Sequence, residues 1–350
     1  MTILSRYWFK IRACLLIYIV GTIYTIKQLF WTVKKKVKRP NNLSLGLLSD
    51  QDSPLALITG GTKGIGYELA KLLIEKENFS VILLARNRID GQRAVESLSV
   101  LSSPNKRNST VKFFSVDLTN VDEMKDFVRS IKSEYNKIHL LVNNAGLMMT
   151  PFQPIKNEPY EIQWATNVIG TIFLTETLLP LVKRAAIEDN LGRIVNLSSS
   201  SMFSHRLTIE YFRSPITAER YSSHEAYGNS KVAIALYTEL LQRKLNDENI
   251  PALSTYCLHP GVIYTDLYQH LSLPMRLLFG NNVMKNILRS QKDAGYDMMF
   301  LCLTESELLT SGAYYENNEK KKMAAVDEEV RLDFAKYVEE LRKKFTVDMN

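Results

Sequence analysis

LALITGGTKGIG, residues 55–66, is the stretch on which the fold turns. Leu55 to Thr59 is a short β-rich run that opens directly into Gly60, Gly61, Thr62, Lys63, Gly64, Ile65 and Gly66. YELAKLLIEK (67–76) follows with the apolar spacing of a helix. A glycine-rich turn between strand and helix lets the backbone approach a diphosphate, whose charge the helix N-terminus meets. Three glycines alone are only a turn; between a strand and a helix, with a second strand to follow, they mark a dinucleotide loop. No GKS or GKT triplet accompanies them, so this is not a P-loop.

Outward from that loop, SVILLA (80–85), VKFFSV (111–116), HLLV (139–142), RIVNL (193–197), LSTYCL (253–258) and GAYYE (312–316) read as further strands, most separated by helix-length segments. That alternation predicts an α/β fold: a Rossmann-like, doubly wound parallel sheet of about seven strands. The second strand ends at Leu84-Ala85-Arg86-Asn87, where an acid would take the ribose hydroxyls of NAD and an arginine a 2′-phosphate. Arg86, with Lys63 inside the loop, favours NADP(H); neither residue excludes NAD(H). Asp117-Leu118 at the end of the third strand places a carboxylate where an adenine amino group would lie.

The chain has 350 residues, 45% hydrophobic and 23% charged, which excludes wholesale disorder. Its net charge of +7 is misleading until it is located. Residues 1–40 hold nine Lys and Arg and no acid, so the remainder sums to −2 and no nucleic-acid footprint is expected. Cys14, Cys257 and Cys302 lie far apart, without disulfide or metal spacing.

From Ala13 to Val33 run 21 residues with a single charge, Lys27. As a helix they would span roughly 31 Å, near the hydrocarbon thickness. This predicts an N-terminal membrane-anchor helix, with a helix lying in one leaflet as the alternative. Three cations precede the run and six lie within or after it, which puts the following domain toward the cytosol. The expected layout is an anchor with basic flank (1–40), a linker (41–53), a catalytic domain (54–316) and a C-terminal amphipathic helix (317–350). On this reading, the domain would fold and act without residues 1–40.

Several motifs together resemble the short-chain dehydrogenase/reductase family, over about residues 54–316. They are the Thr59-Gly60-x3-Gly64-x-Gly66 loop; Asn143-Asn144-Ala145-Gly146; Asn167 in TNVIG; a serine in VNLSSSS; Tyr227-x3-Lys231; and Pro260-Gly261-Val262 with Thr265. The resemblance implies cofactor contacts at Gly60, Thr62 to Gly66, Arg86, Asp117, Leu118, Asn144 to Gly146, Tyr227, Lys231, Pro260 to Val262 and Thr265. It implies catalysis by Asn167, Ser199, Tyr227 and Lys231, with Ser199 chosen by family register from the run Ser198–Ser201. The N-terminal helix and the 28-position gap from Ser199 to Tyr227 look like the membrane-bound, retinol-dehydrogenase-like branch. NNAGLMM, AYGNSKVAIALYTELLQRKL and HPGVIYTDLYQHL look most like members of that branch acting on polyprenol and dolichal, on an intracellular membrane such as the endoplasmic reticulum or a lipid droplet.

The chemistry suits those residue types. A tyrosine hydroxyl titrates near 10, too high for a base at neutral pH. Tyr227 and Lys231 share one helix face, so the ammonium favours tyrosinate. Ser199 can hold a substrate oxygen near Tyr227, and Asn167 can hold a water that connects Lys231 to solvent. His205 and His224, in the long loop before Tyr227, read as structural. No metal-ligand spacing is present.

The leading expectation is an NADP(H)-dependent oxidoreductase interconverting a lipid alcohol and its aldehyde or ketone. A retinoid or steroid dehydrogenase is the alternative, and a non-catalytic NADP(H) sensor the alternative from another class. Whether the chain forms a homodimer stays open. The Leu-, Met- and Phe-rich segment 266–290 reads either as core helices or as an apolar lid. Val330, Phe334, Tyr337, Leu341 and Phe345 trace one face of a C-terminal helix.

Overall fold

β1 (Leu55–Thr59) alternates its side chains between two cores: Leu55 and Leu57 enter one, Ala56 and Ile58 the other. Both sets are apolar because helices cover both faces of the sheet, as a parallel sheet requires. The computed structural model describes residues 3–34, 53–101, 109–250, 252–263 and 288–349.

The longer helices among the described residues are, in chain order, α1 (Ile3–Lys34), α2 (Gly64–Glu77), α3 (Arg88–Ser99), α4 (Val121–Glu134), α5 (Ile162–Asp189), α6 (Ser223–Asn246), α7 (Gln291–Leu303) and α8 (Glu328–Met349). The strands after β1 are β2 (Ser80–Ala85), β3 (Val111–Ser115), β4 (Leu140–Asn143), β5 (Gly192–Leu197), β6 (Leu253–His259), β7 (Tyr314–Glu316) and β8 (Glu319–Lys321). The sheet order is β3-β2-β1-β4-β5-β6-β7-β8, so strands are added outward to one side of β1 up to β3 and to its other side from β4 on. A crevice at that switch, outside the strand ends, is where such sheets bind ligands. Helices α4, α5, α6 and α8 supply the core on one face, and α2, α3 and α7 the other.

Among the described residues the sheet has eight strands, close to the seven or so expected. β8 pairs antiparallel with β7 through Asn317 and Asn318, both at positive φ (51° and 62°). An Asn-Asn pair between two strands is the local sign of such a hairpin. The three exposed residues of β8 are too short and polar to read as a strand unaided.

α8 turns Val330, Phe334, Tyr337, Leu341 and Phe345 into the core, and Trp164 of α5 donates through Nε1 to the Tyr337 hydroxyl at 3.4 Å. Buried Arg342 completes the joint with an ion pair to Glu176 at 2.8 Å. Phe334→Ala should therefore cost about 3–5 kcal/mol of stability, measured by denaturant unfolding, because a fully buried ring leaves a cavity.

α1 also lies on the domain. Ala13, Ile17 and Gln28 are buried against it, whereas the sequence sets residues 1–40 apart. The basic flank beyond Lys34, the linker up to residue 52 and the 264–287 segment lie outside the described residues.

Candidate active site

The carboxyl ends of β1, β4, β5 and β6 converge on a cavity of about 340 Å³ that runs from the glycine loop to Tyr227. At its floor, Gly60 and Gly64 hold φ of +64° and +60°, left-handed values that glycine adopts without strain. Asn144 clamps the loop: its Nδ2 donates to the carbonyls of Thr59 (2.9 Å) and Gly60 (3.0 Å). In return, Thr59 Oγ1 accepts from the N–H groups of Asn144 and Ala145, both at 3.0 Å. Asn143 points the other way, donating to Thr175 and Asn196 inside the sheet.

Gly66 opens no space for a ligand; it makes room for this clamp. A Cβ there would lie 2.6 Å from Asn144 Nδ2 and 2.7 Å from the Gly60 carbonyl. Gly66→Ala should thus weaken dinucleotide binding at least roughly tenfold and lower the melting temperature, because backbone must move. Cofactor fluorescence titration and thermal unfolding check it.

The cations that could meet phosphates are each paired with an acid. Lys63 Nζ lies 2.8 Å from Asp90, and Arg86 lies 3.7 Å from Asp117. The Arg86 side chain is 54% exposed at the rim. Asp117 also accepts from the Thr119 N–H at 2.9 Å, while Leu118 is buried in the core. Thr62 and Ile65 belong to the loop and first helical turn, and Ile65 reaches the cavity. Thr265 lies outside the described residues.

Tyr227 is buried beside the cavity, and that burial pushes its hydroxyl up to about 12, with Ser199 hydrogen bonding working the other way. One turn along α6, Lys231 Nζ lies 5.6 Å from the centre of the Tyr227 ring and donates to the Leu197 carbonyl at 3.0 Å. Burial lowers its ammonium to about 8.

The serine run separates by hydrogen bonding. Ser198 Oγ donates to the Lys231 carbonyl at 2.8 Å and is spent on structure. Ser199 caps a short 3-10 turn, its Oγ accepting from the Ser201 N–H at 3.1 Å, and reaches the cavity beside Tyr227. Asn167 stands in a π-helical turn, Ala165–Gly170, within α5. Such single π turns recur at functional sites because they shift one side chain out of helical register. Its Oδ1 accepts from the Leu147 N–H at 2.8 Å, and its Nδ2 donates to the Leu147 carbonyl (2.9 Å) and Ser230 (3.0 Å). Asn167 thus braces the turn after Asn144, while Lys231 bonds to Leu197 instead.

His205 Nε2 hydrogen-bonds the Ala325 carbonyl at 2.9 Å, tying the long loop to the chain before α8. His224 packs edge-on to Tyr18, and burial lowers its pKa. Neither lines the cavity.

Motif reading missed His259, Met148 and Met149, and the α1 residues Ile17, Tyr18, Gly21 and Thr25, all at the cavity wall. Burial and nearby Arg289 hold His259 down to about 3, so it is neutral at physiological pH. Gln28 was the one available signal in α1: an amide late in an apolar run.

The residues present fit a nicotinamide dinucleotide: left-handed glycines at a helix N-terminus, and an unbroken void from there to a buried tyrosine–lysine pair. The family model of short chain dehydrogenases matches residues 54–275. Human polyprenol dehydrogenase is 29% identical over 310 residues, 89% of this chain and 88% of its own length. Mouse retinol dehydrogenase 11 is 29% identical over 75% of this chain and 77% of its own. The Brassica napus chloroplastic short-chain dehydrogenase TIC 32 B is 36% identical over 64% and 68%. An NADPH-bound carbonyl reductase from chicken fatty liver shares the fold, with a TM-score of 0.57 at 22% identity over 79% of this chain and all of its own. A family match across more than half the chain, on a sheet that sets a tyrosine–lysine pair beside a dinucleotide loop, makes this chain a short-chain dehydrogenase, an oxidoreductase acting on CH–OH groups with NAD(P).

Proposed function

We propose that the chain is a membrane-associated, NADP(H)-dependent oxidoreductase that interconverts a long lipid alcohol of the polyprenol kind and its aldehyde. The observation that carries this is the composition of the cavity wall at Tyr227. Met148, Met149 and Ile17 pack with that tyrosine and line the cavity, so a substrate carbon at Tyr227 meets apolar side chains. Similarity to polyprenol dehydrogenase along nearly the whole chain supports the same reading. The N-terminal run and its cations support an intracellular membrane, endoplasmic reticulum or lipid droplet, with the catalytic domain on the cytosolic side.

Arg86 and Lys63 at the rim favour NADP(H): each would exchange its acid partner for a phosphate. The nicotinamide, when bound, supplies or accepts the hydride. In the reducing direction Tyr227 gives its proton to the oxygen that becomes the alcohol; in the oxidising direction it takes one. A hydroxyl held near 12 keeps its proton at neutral pH and is ready as a donor. The Lys231 ammonium stabilises the tyrosinate left behind, Ser199 holds the substrate oxygen, and Asn167 keeps the cleft turn in place.

The pH dependence follows. Lys231 is charged below about 8 and loses its charge above it, so reduction should be level below pH 8 and fall above. Oxidation, which needs the proton to leave Tyr227, should gain relative to reduction as pH rises. Initial rates in both directions across the pH range check the sign.

The function itself is tested by incubating purified chain in detergent with NADPH and prenyl, retinoid and steroid aldehydes. Faster turnover of a long prenyl aldehyde supports the proposal. Preference for retinal or a steroid would replace it with the corresponding alternative, and NADPH binding without consumption of any aldehyde would favour a sensor.

A further inference from the structure

We propose that α1 is a wall of the active site on one face and a lipid-seated surface on the other, with Gln28 holding it to the nicotinamide-side loop. This rests on the lipid-alcohol reading above. Gln28 is 6% exposed, and its side chain pairs with the Val262 backbone as a neighbouring strand would. Its Oε1 accepts from the Val262 N–H at 2.8 Å and its Nε2 donates to the Val262 carbonyl at 3.1 Å. A buried amide persists where both its groups are matched, and here they match a loop 234 positions away.

Gly261, beside it, gives independent support. It has φ +93°, and a Cβ there would lie 2.9 Å from Gln28 Oε1 and 3.1 Å from Arg289 Cδ. The loop is thus shaped around the helix as well as around a cofactor. Further back along the same face, Ile17 packs with Met148 and Met149 on Tyr227. Tyr24 meets His259 edge-on at 5.6 Å.

Among the described residues, the opposite face has no such partner in the domain. At about 100° per residue, Trp8, Ile11, Leu15, Ile19, Ile23 and Ile26 form one row on the far side from Ile17 and Gln28. These six are 45–66% exposed. An exposed row of large apolar side chains marks a contact surface. Nine cations and no acids in residues 1–40 choose its occupant: a bilayer bearing anionic headgroups. Because its inner face is spent on the domain, α1 lies along that bilayer, and a lipid tail reaches Tyr227 by passing beside it. It follows that removing residues 1–40 removes part of the cleft, contrary to the freestanding domain expected from sequence.

Gln28→Met, in the full chain in detergent, keeps the bulk and deletes both hydrogen bonds. NADPH affinity by fluorescence titration, and kcat on a short soluble aldehyde, should each fall roughly tenfold, with the melting temperature lowered by only a few degrees. Ile19→Asp combined with Ile23→Asp should reduce co-flotation with phosphatidylcholine–phosphatidylserine vesicles and lower the ratio of long-chain to short-chain turnover. Tyr18→Cys with His224→Cys, in a Cys14→Ser background, should join through a short bis-maleimide on vesicles, since the two rings lie 5.6 Å apart. Absence of that cross-link, or wild-type NADPH affinity in Gln28→Met, overturns the proposal. A cross-link with weakened NADPH binding, but no turnover of any lipid aldehyde, keeps α1 in place and overturns the substrate reading instead.

Discussion

Tyr227→Phe should abolish turnover, by at least ~10²–10⁴-fold, while leaving NADPH affinity close to wild type. The ring is buried against Ile17, Met148 and Met149, and phenylalanine fills the same space. Only the hydroxyl is lost, and with it, on the proposed mechanism, the proton that the substrate oxygen gains or gives. Lys231 keeps its bond to the Leu197 carbonyl, so the cofactor side of the cleft stays assembled. Single-turnover rates and a fluorescence titration on the same preparation separate the two effects. A variant retaining half its activity would show that another group moves the proton.

Arg86→Asp should lower NADPH affinity roughly 100-fold, about 2.7 kcal/mol, and NADH affinity far less. Arg86 faces Asp117 across the ends of neighbouring strands at 3.7 Å. On the proposed NADP(H) reading, the substitution would replace a phosphate partner with a second carboxylate, so the 2′-phosphate would meet two negative charges. Like-charge juxtaposition is costly across a binding surface, although exposure at the rim moderates it. NADH lacks the 2′-phosphate and escapes most of the penalty. Equal loss of both cofactors would place the 2′-phosphate elsewhere, with Lys63, paired to Asp90, as the next cation to substitute.

How much of this was legible beforehand depends on how far apart the interacting residues lie. The strand–loop–helix at 55–77, the tyrosine and lysine four apart, and the apolar stripe of α8 are written in contiguous residues. Each follows from rules acting within a few positions: alternation in strands, 3.6-residue periodicity in helices, and glycine where the backbone must turn left-handed. The family and reaction class were readable for the same reason. Even the eighth strand had a local sign, the Asn317–Asn318 turn, though three polar residues could not announce a strand without β7 to pair with.

The hydrogen bonds that set the neighbouring serines apart exist only in three dimensions, where Ser198 is drawn to the Lys231 carbonyl 33 positions on. The role of Asn167 likewise depends on a π turn that carries its amide to Leu147. α1 is the clearest case. Sequence by itself determined an apolar, cationic N-terminal helix, a dinucleotide-binding sheet and a tyrosine–lysine pair, because short-range periodicity and chain chemistry suffice for these. Only the tertiary structure decided that the helix lies across the cleft, with Gln28 on Val262 and Ile17 on Tyr227. Those contacts join residues more than 200 positions apart, and hydropathy cannot distinguish an apolar face that meets lipid from one that meets protein.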